Sequence, residues 1–223
     1  MFDSRVFDYE GRTVANVPGA LTSDDPGYEE RIKFDIQRSM TMRRDFAVQA
    51  QIMNAFRILT SEHSFDAEYL SSIIAGSSFI PDGRLEHFCE GLTLGFDWKF
   101  SHAAHILVPQ FEAGLREVAT KLGLSARNLS ASGVEDAWGL DRLLTEQAVV
   151  SHLGDDLVFE LRSLLIENFG PKFRHNLSHG LIPPQALGGA DSIYAWWLFL
   201  RLCVFPTPGF HAFSREGAAS VAS

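Results

Sequence analysis

Cysteine is almost absent: the 223 residues hold only Cys89 and Cys203, far apart and each in an apolar helical context. A disulfide framework is therefore not the basis of the fold, and two buried free thiols in a reducing compartment are the simplest reading. A long hydrophobic run is missing too. The most apolar stretch, residues 193–205, is too short to span a bilayer and contains Arg201. The opening MFDSRVFDYE lacks the apolar core of a secretory signal. These absences point to a cytoplasmic location and no membrane partner. There is no internal repeat and no glycine-rich phosphate loop of the P-loop or dinucleotide-binding kind.

Positive charge is also scarce. Nineteen Lys and Arg against 28 Asp and Glu leave a formal net charge of −9. That balance opposes tight nonspecific binding of nucleic acid, whose affinity rests on neutralising phosphates, but a small cleft can carry a local field opposite to the net charge. The most basic run, Arg31, Lys33, Arg38, Arg43 and Arg44, is diluted by Asp35 and Asp45 and reads as a solvated helix face.

What is present is an ordinary core-forming composition, 46% hydrophobic and 21% charged. Apolar residues recur at helical spacing, and the expected fold is all-α: an antiparallel helical bundle over 25–205, an irregular arm over 1–24 and a flexible tail over 206–223. Within the arm, Arg12 to Val17 reads as a short extended piece. A long first helix starts near Pro26 and runs to about Leu59 with a bend near Met42. Ser64 caps a second helix that Gly76 ends, and a third runs from about Gly83 to Gly95. The strongest helix spans Trp98 to Leu122 with Pro109 inside it, which predicts a kink. Residues 124–139 read as a polar loop. The next long helix opens at Asp155 and leaves Glu160 and Arg162 free for a cleft or solvent. The last, Asp191 to Phe205, is apolar nearly all round and is either core or shared with another subunit.

Chemistry concentrates in one stretch, FRHNLSHG, from Phe173 to Gly180. Pro171 just inside the start and Gly180 just past the end would bound a short helix. Positions four apart share a helical face, so His175 and His179 lie together, and Asn176 is three residues before His179. Arg174 lies further round, with a stem long enough to bring its guanidinium to the same side. His179 falls beside the unpaired carbonyls of the last turn, a setting suited to proton transfer near neutral pH. Arg174 offers a charged fork that fits a phosphate. An acid/base beside a phosphate clamp reads as phosphoryl chemistry; the plain alternative is a capping histidine and a surface ion pair. His102 and His105, three apart with Glu112 beyond them, invite a metal reading but lack a convincing third ligand, and local hydrogen bonding or packing is the better account.

The chain resembles a family of uncharacterised domains marked by an RNxxxHG motif, within the HEPN superfamily, many of whose members are metal-independent ribonucleases. Arg174, His179 and Gly180 carry the match. It extends through HILVPQFEAGLREVATKLG at 105–123 and GDDLVFELRSLLIENFGP at 154–171, and more loosely back to about Tyr9. Where the family has asparagine directly after the arginine, this chain has His175, with Asn176 one step later; the broader superfamily accepts a polar residue there. Longer members carry extra sequence before this region, so the chain looks like their C-terminal portion.

The resemblance implies an endoribonuclease working on RNA with no cofactor and no metal. Arg174 and His179 would be catalytic, with His175, Asn176 and Ser178 binding or orienting substrate. It also implies a homodimer in which two motifs line one composite cleft. Toxin-like defence, with an antitoxin or defence partner, and housekeeping RNA processing both stay open as the role. Two rivals stand beside it. One is an inactive HEPN module binding RNA, a nucleotide or a protein, and the other is a scaffold that associates through its aromatic last helix.

Overall fold

The computed structural model describes residues 3–7, 11–129 and 135–207. The fold is all-α, a helical bundle with two small antiparallel hairpins. The first hairpin pairs β1 (Ser4–Phe7) with β2 (Thr13–Val17), Ser4 opposite Val17 and Val6 opposite Ala15. It rests on the first helix, α1 (Tyr28–Ala47), where Arg31 donates to Ser4 Oγ at 3.0 Å and to Asp35 at 2.9 Å. The sequence-based tail lies almost wholly in 208–223, outside the described residues.

The first long helix is continuous from α1 through a wide π-turn, Val48–Ile52, into α2 (Met53–Glu62). The irregularity predicted near Met42 therefore falls further on. Arg44, Val48, Ile52 and Phe56 are four apart and all buried. An ideal α-helix would rotate such a series by about 40° per step. A turn with i→i+5 bonds rotates it back, which keeps all four side chains on the core.

Helix α3 (Ala67–Ile74) is capped by Asp66, whose Oδ1 accepts from the Tyr69 N–H at 2.8 Å, rather than by Ser64. A two-residue-later start follows because a carboxylate directly before the first turn satisfies its free N–H groups. Helix α4 (Leu85–Phe96) packs against the 22-residue α5 (Phe100–Lys121), which runs unbroken through Pro109. Trp98, expected to begin that helix, instead holds a positive φ of 63° in the connection before it.

The segment predicted as a polar loop contains the second hairpin, β3 (Arg127–Leu129) with β4 (Glu135–Ala137). Short helices α6 (Leu140–Leu143) and α7 (Gln147–Leu153) lead to α8 (Asp155–Leu165). After the brief α9 (Phe173–Ser178), the last helix α10 (Ala190–Val204) runs through the core. Its Tyr194, Ala195, Trp196, Leu198, Phe199, Leu202 and Cys203 are buried within this chain, so its apolar girdle is largely core. Both cysteines are buried and free.

Two charge expectations are overturned. Of the five cations in the basic run, Arg31 is 7% and Arg44 0% exposed, because Asp35, Ser4, Thr41 and Ser163 supply acceptors that water would otherwise provide. Glu160, expected to face a cleft or solvent, is buried at 9% exposure and meets Tyr194.

Candidate active site

The reactive segment is held from below by two apolar anchors one turn apart. Phe173 and Leu177 are buried, while the positions between and after them turn outward. Arg174 is half-exposed; His175, Ser178 and His179 are exposed. This is an amphipathic arrangement in six residues, and it explains why so short a helix persists.

Its start differs from the proline-first expectation. Pro171 lies outside the helix, and Lys172 precedes the first turn with φ 45°. Phe169 also has a positive φ, 66°, so two non-glycine residues in a four-residue span occupy the left-handed region. Such a backbone persists only where surrounding contacts impose it. Phe169 meets Phe34 of α1 edge-on at 5.9 Å, and Asn176 Nδ2 donates back to the Pro171 carbonyl at 2.8 Å.

The end is as expected. Gly180, at φ 64°, donates to the Leu177 carbonyl, and Leu181 N–H reaches the Asn176 carbonyl at 2.8 Å. This is a Schellman closure, and it makes His179 the C-cap residue. The His179 N–H bonds the His175 carbonyl at 3.1 Å.

Closure brings the two imidazoles together, with ring centroids 4.5 Å apart and planes inclined by 50°. Loss of hydration, then the charges of His179, Lys172 and Arg174, hold His175 below the ordinary histidine pKa. His175 is therefore neutral at neutral pH and free to accept a proton. Arg174 Nη2 reaches Glu112 Oε2 of α5 at 3.4 Å. Glu112 is itself tied to Arg116 at 3.1 Å, and Arg116 donates to the Trp138 carbonyl at 3.2 Å. The Arg142 guanidinium covers the Trp138 ring at 3.9 Å.

A carboxylate bridging two arginines orients Arg174 without burying its charge, so the guanidinium can exchange part of that pairing for a phosphate. Two of the five sequence-predicted residues serve the backbone: Asn176 ties the connector, and Ser178 Oγ donates to the Arg174 carbonyl at 2.8 Å. Arg174, His175 and His179 make up the outward chemistry.

Glu112, Arg116 and the Trp138 carbonyl were not foreseen as parts of this site. The i,i+4 spacing of Glu112 and Arg116 on α5 was a readable signal for their pairing, but nothing local links them to Arg174, 62 residues away. Among the described residues no group of three or more His, Cys, Asp or Glu could hold a metal ion. His102 and His105 make local contacts, Nδ1 of the first at 3.2 Å from Ser101 Oγ and Nδ1 of the second at 2.7 Å from the Ser101 carbonyl.

Comparison with protein-family models, curated proteins and solved structures yields no match for this chain. No described helix is long and apolar enough to cross a membrane.

Proposed function

We propose that the chain is an endoribonuclease of the HEPN type, and the observation that carries this reading is the exposed His175 and His179 pair beside the Glu112-tethered Arg174. A single cation with a histidine is common on protein surfaces. Two imidazoles in ring contact, one of them kept neutral, next to an orientable guanidinium, form a set able to move two protons around one phosphate. The resemblance of Arg174, His179 and Gly180 to the HEPN motif supports the same assignment.

One imidazole, assigned to His179, takes the proton of a ribose 2′-hydroxyl as its oxygen attacks the adjacent phosphorus. Arg174 stabilises the charge that grows on the phosphoryl oxygens. The bond to the 5′-oxygen breaks, and that oxygen receives a proton from His175, once its neutral imidazole has taken one up from solvent, or from the matching segment of a second copy across a twofold axis. The products are a 2′,3′-cyclic phosphate and a 5′-hydroxyl. No metal or cofactor takes part in this scheme, and the role is cytoplasmic RNA cleavage, in toxin-like defence with an antitoxin or defence partner or in housekeeping processing.

The test pairs binding with cleavage. A fluorescent single-stranded RNA is titrated with wild type and with Arg174→Ala/His179→Ala, and its cleavage is followed in parallel. The expected outcome is cleavage by wild type and loss of at least about a hundredfold in the double variant. Equal RNA binding by both proteins with cleavage by neither would instead identify a binding module, the reading that the net charge of −9 favours.

A further inference from the structure

A buried polar chain links α1 to α8 and ends against the connector that leads into the reactive segment. Arg44 of α1, fully buried, donates from Nη1 to Ser163 Oγ of α8 at 2.9 Å and from Nη2 to Thr41 Oγ1 at 3.1 Å. Ser163 Oγ donates in turn to Gln37 Oε1 at 2.6 Å, and both residues are buried. The connector between α8 and α9 sits directly on this chain. A Cβ at Gly170 would come within 2.5 Å of the Ser163 carbonyl oxygen and 3.1 Å of Gln37 Oε1.

Gly170 is not in the left-handed region, so glycine is needed here for space rather than for backbone freedom. Its neighbours Phe169 and Lys172 are in that region, which means the path of the connector is imposed from outside itself.

The energetics of Arg44 fit a positioning role better than a stabilising one. Its Nε has no hydrogen-bond partner and stands 3.8 Å from Asp191 Oδ1. Burying a guanidinium is costly, and an ion pair of that length offsets little of the cost. What the buried fork does supply is direction: two donors fixed on Ser163 and Thr41, with Ser163 thereby oriented toward Gln37.

We propose that Arg44, Ser163 and Gln37 form a positioning chain that seats Gly170 and so sets the placement of Arg174, His175 and His179. Its functional consequence rests on the ribonuclease reading; the placement itself does not. The chain touches no reacting atom and acts only through the connector.

The test reads geometry and activity separately. Imidazole resonances are followed by NMR through a pH titration in wild type, Gly170→Ala, Ser163→Ala, Gln37→Leu and Gln37→Glu. The first three variants are expected to shift the His175 and His179 signals, with His175 moving up toward the ordinary histidine midpoint as its partner recedes, while His63 and His152 stay in place. Gln37→Glu keeps an acceptor oxygen for Ser163 and is expected to restore the wild-type pattern. In RNA cleavage, the first three lose on the order of a hundredfold in kcat with KM changed less than about threefold. If Gly170→Ala does not fold, Ser163→Ala, which removes only a hydroxyl, carries the test. Imidazoles that move without any cleavage in wild type would uphold the positioning chain and sink the ribonuclease reading. Unchanged imidazoles in folded Ser163→Ala and Gln37→Leu would overturn the positioning chain whatever the activity.

Discussion

The interior has two unlike halves, and α10 belongs to both. Around Trp196 it is dry and aromatic: Phe56, Phe96 and Phe100 surround the indole at centroid distances of 4.9 to 5.7 Å, and Phe65 stacks on Phe96 at 4.0 Å. The one polar atom of that indole, Nε1, donates to the Leu92 carbonyl at 3.2 Å. Toward its start, Asp191 and Tyr194 face a polar interior with Arg44, Ser163, Gln37 and Glu160. There Arg44 Nε and Glu160 Oε1 lack hydrogen-bond partners. The dry half is built for stability, since area buried without polar loss returns its full transfer energy. The polar half is a poor stabiliser, and it is the half against which Gly170, in the connector leading to the reactive segment, is seated.

Truncation should separate them most sharply. Trp196→Ala removes the centre of the aromatic cluster and is predicted to cost about 3–5 kcal/mol, read by urea unfolding. Arg44→Ala alone is predicted to cost about 3 kcal/mol or more, because it strands Asp191. The double variant Arg44→Met/Asp191→Asn removes both charges and keeps most of the volume. It should come within about 1 kcal/mol of wild type or exceed it, an outcome that no substitution at Trp196 can match. If the double variant proves as damaging as Trp196→Ala, the two halves do not differ in kind.

Smaller effects sharpen the contrast. Asp66→Ala removes the cap of α3 beside Phe65 and should cost about 1 kcal/mol by the same unfolding measurement. At the exposed site, the effect is one of pH rather than packing. The folded state holds His175 below its ordinary value, so the unfolded chain binds more protons as pH falls. The stability contribution is therefore full above the ordinary histidine value and lost as pH drops through the depressed one. His175→Gln should narrow the difference in unfolding midpoint between pH 7.5 and pH 5 relative to wild type, and only slightly for so exposed a group.

The dry half was legible in the sequence because its residues repeat at helical spacing. Phe56, Leu70, Leu92, Leu107 and Phe111 each lie on a face that periodicity alone assigns inward, whereas the all-round apolar girdle that holds Trp196 is, by sequence, either core or a shared surface. The polar half was not. A run containing Arg31, Arg38, Arg43 and Arg44 looks solvated, and nothing near Arg44 in sequence signals Ser163, 119 residues on, as its acceptor. The end of α9 at Gly180 was readable from a local rule, whereas its start was not. A lysine in the left-handed region is dictated by tertiary contacts that override the proline rule. The pairing of His175 with His179 followed from spacing, while the Glu112 tether on Arg174 is a long-range contact that no spacing contains.

The proposed chemistry of the outward face of α9 is metal-independent phosphoryl transfer on RNA. The most direct measurement is cleavage of mixed RNA by the purified full chain in excess EDTA, wild type against His179→Ala, with chemical analysis of the ends. The account predicts cleavage that persists in EDTA, leaves 2′,3′-cyclic phosphate and 5′-hydroxyl ends, and disappears in the variant. Cleavage that stops in EDTA, or that continues unchanged in His179→Ala, would contradict it.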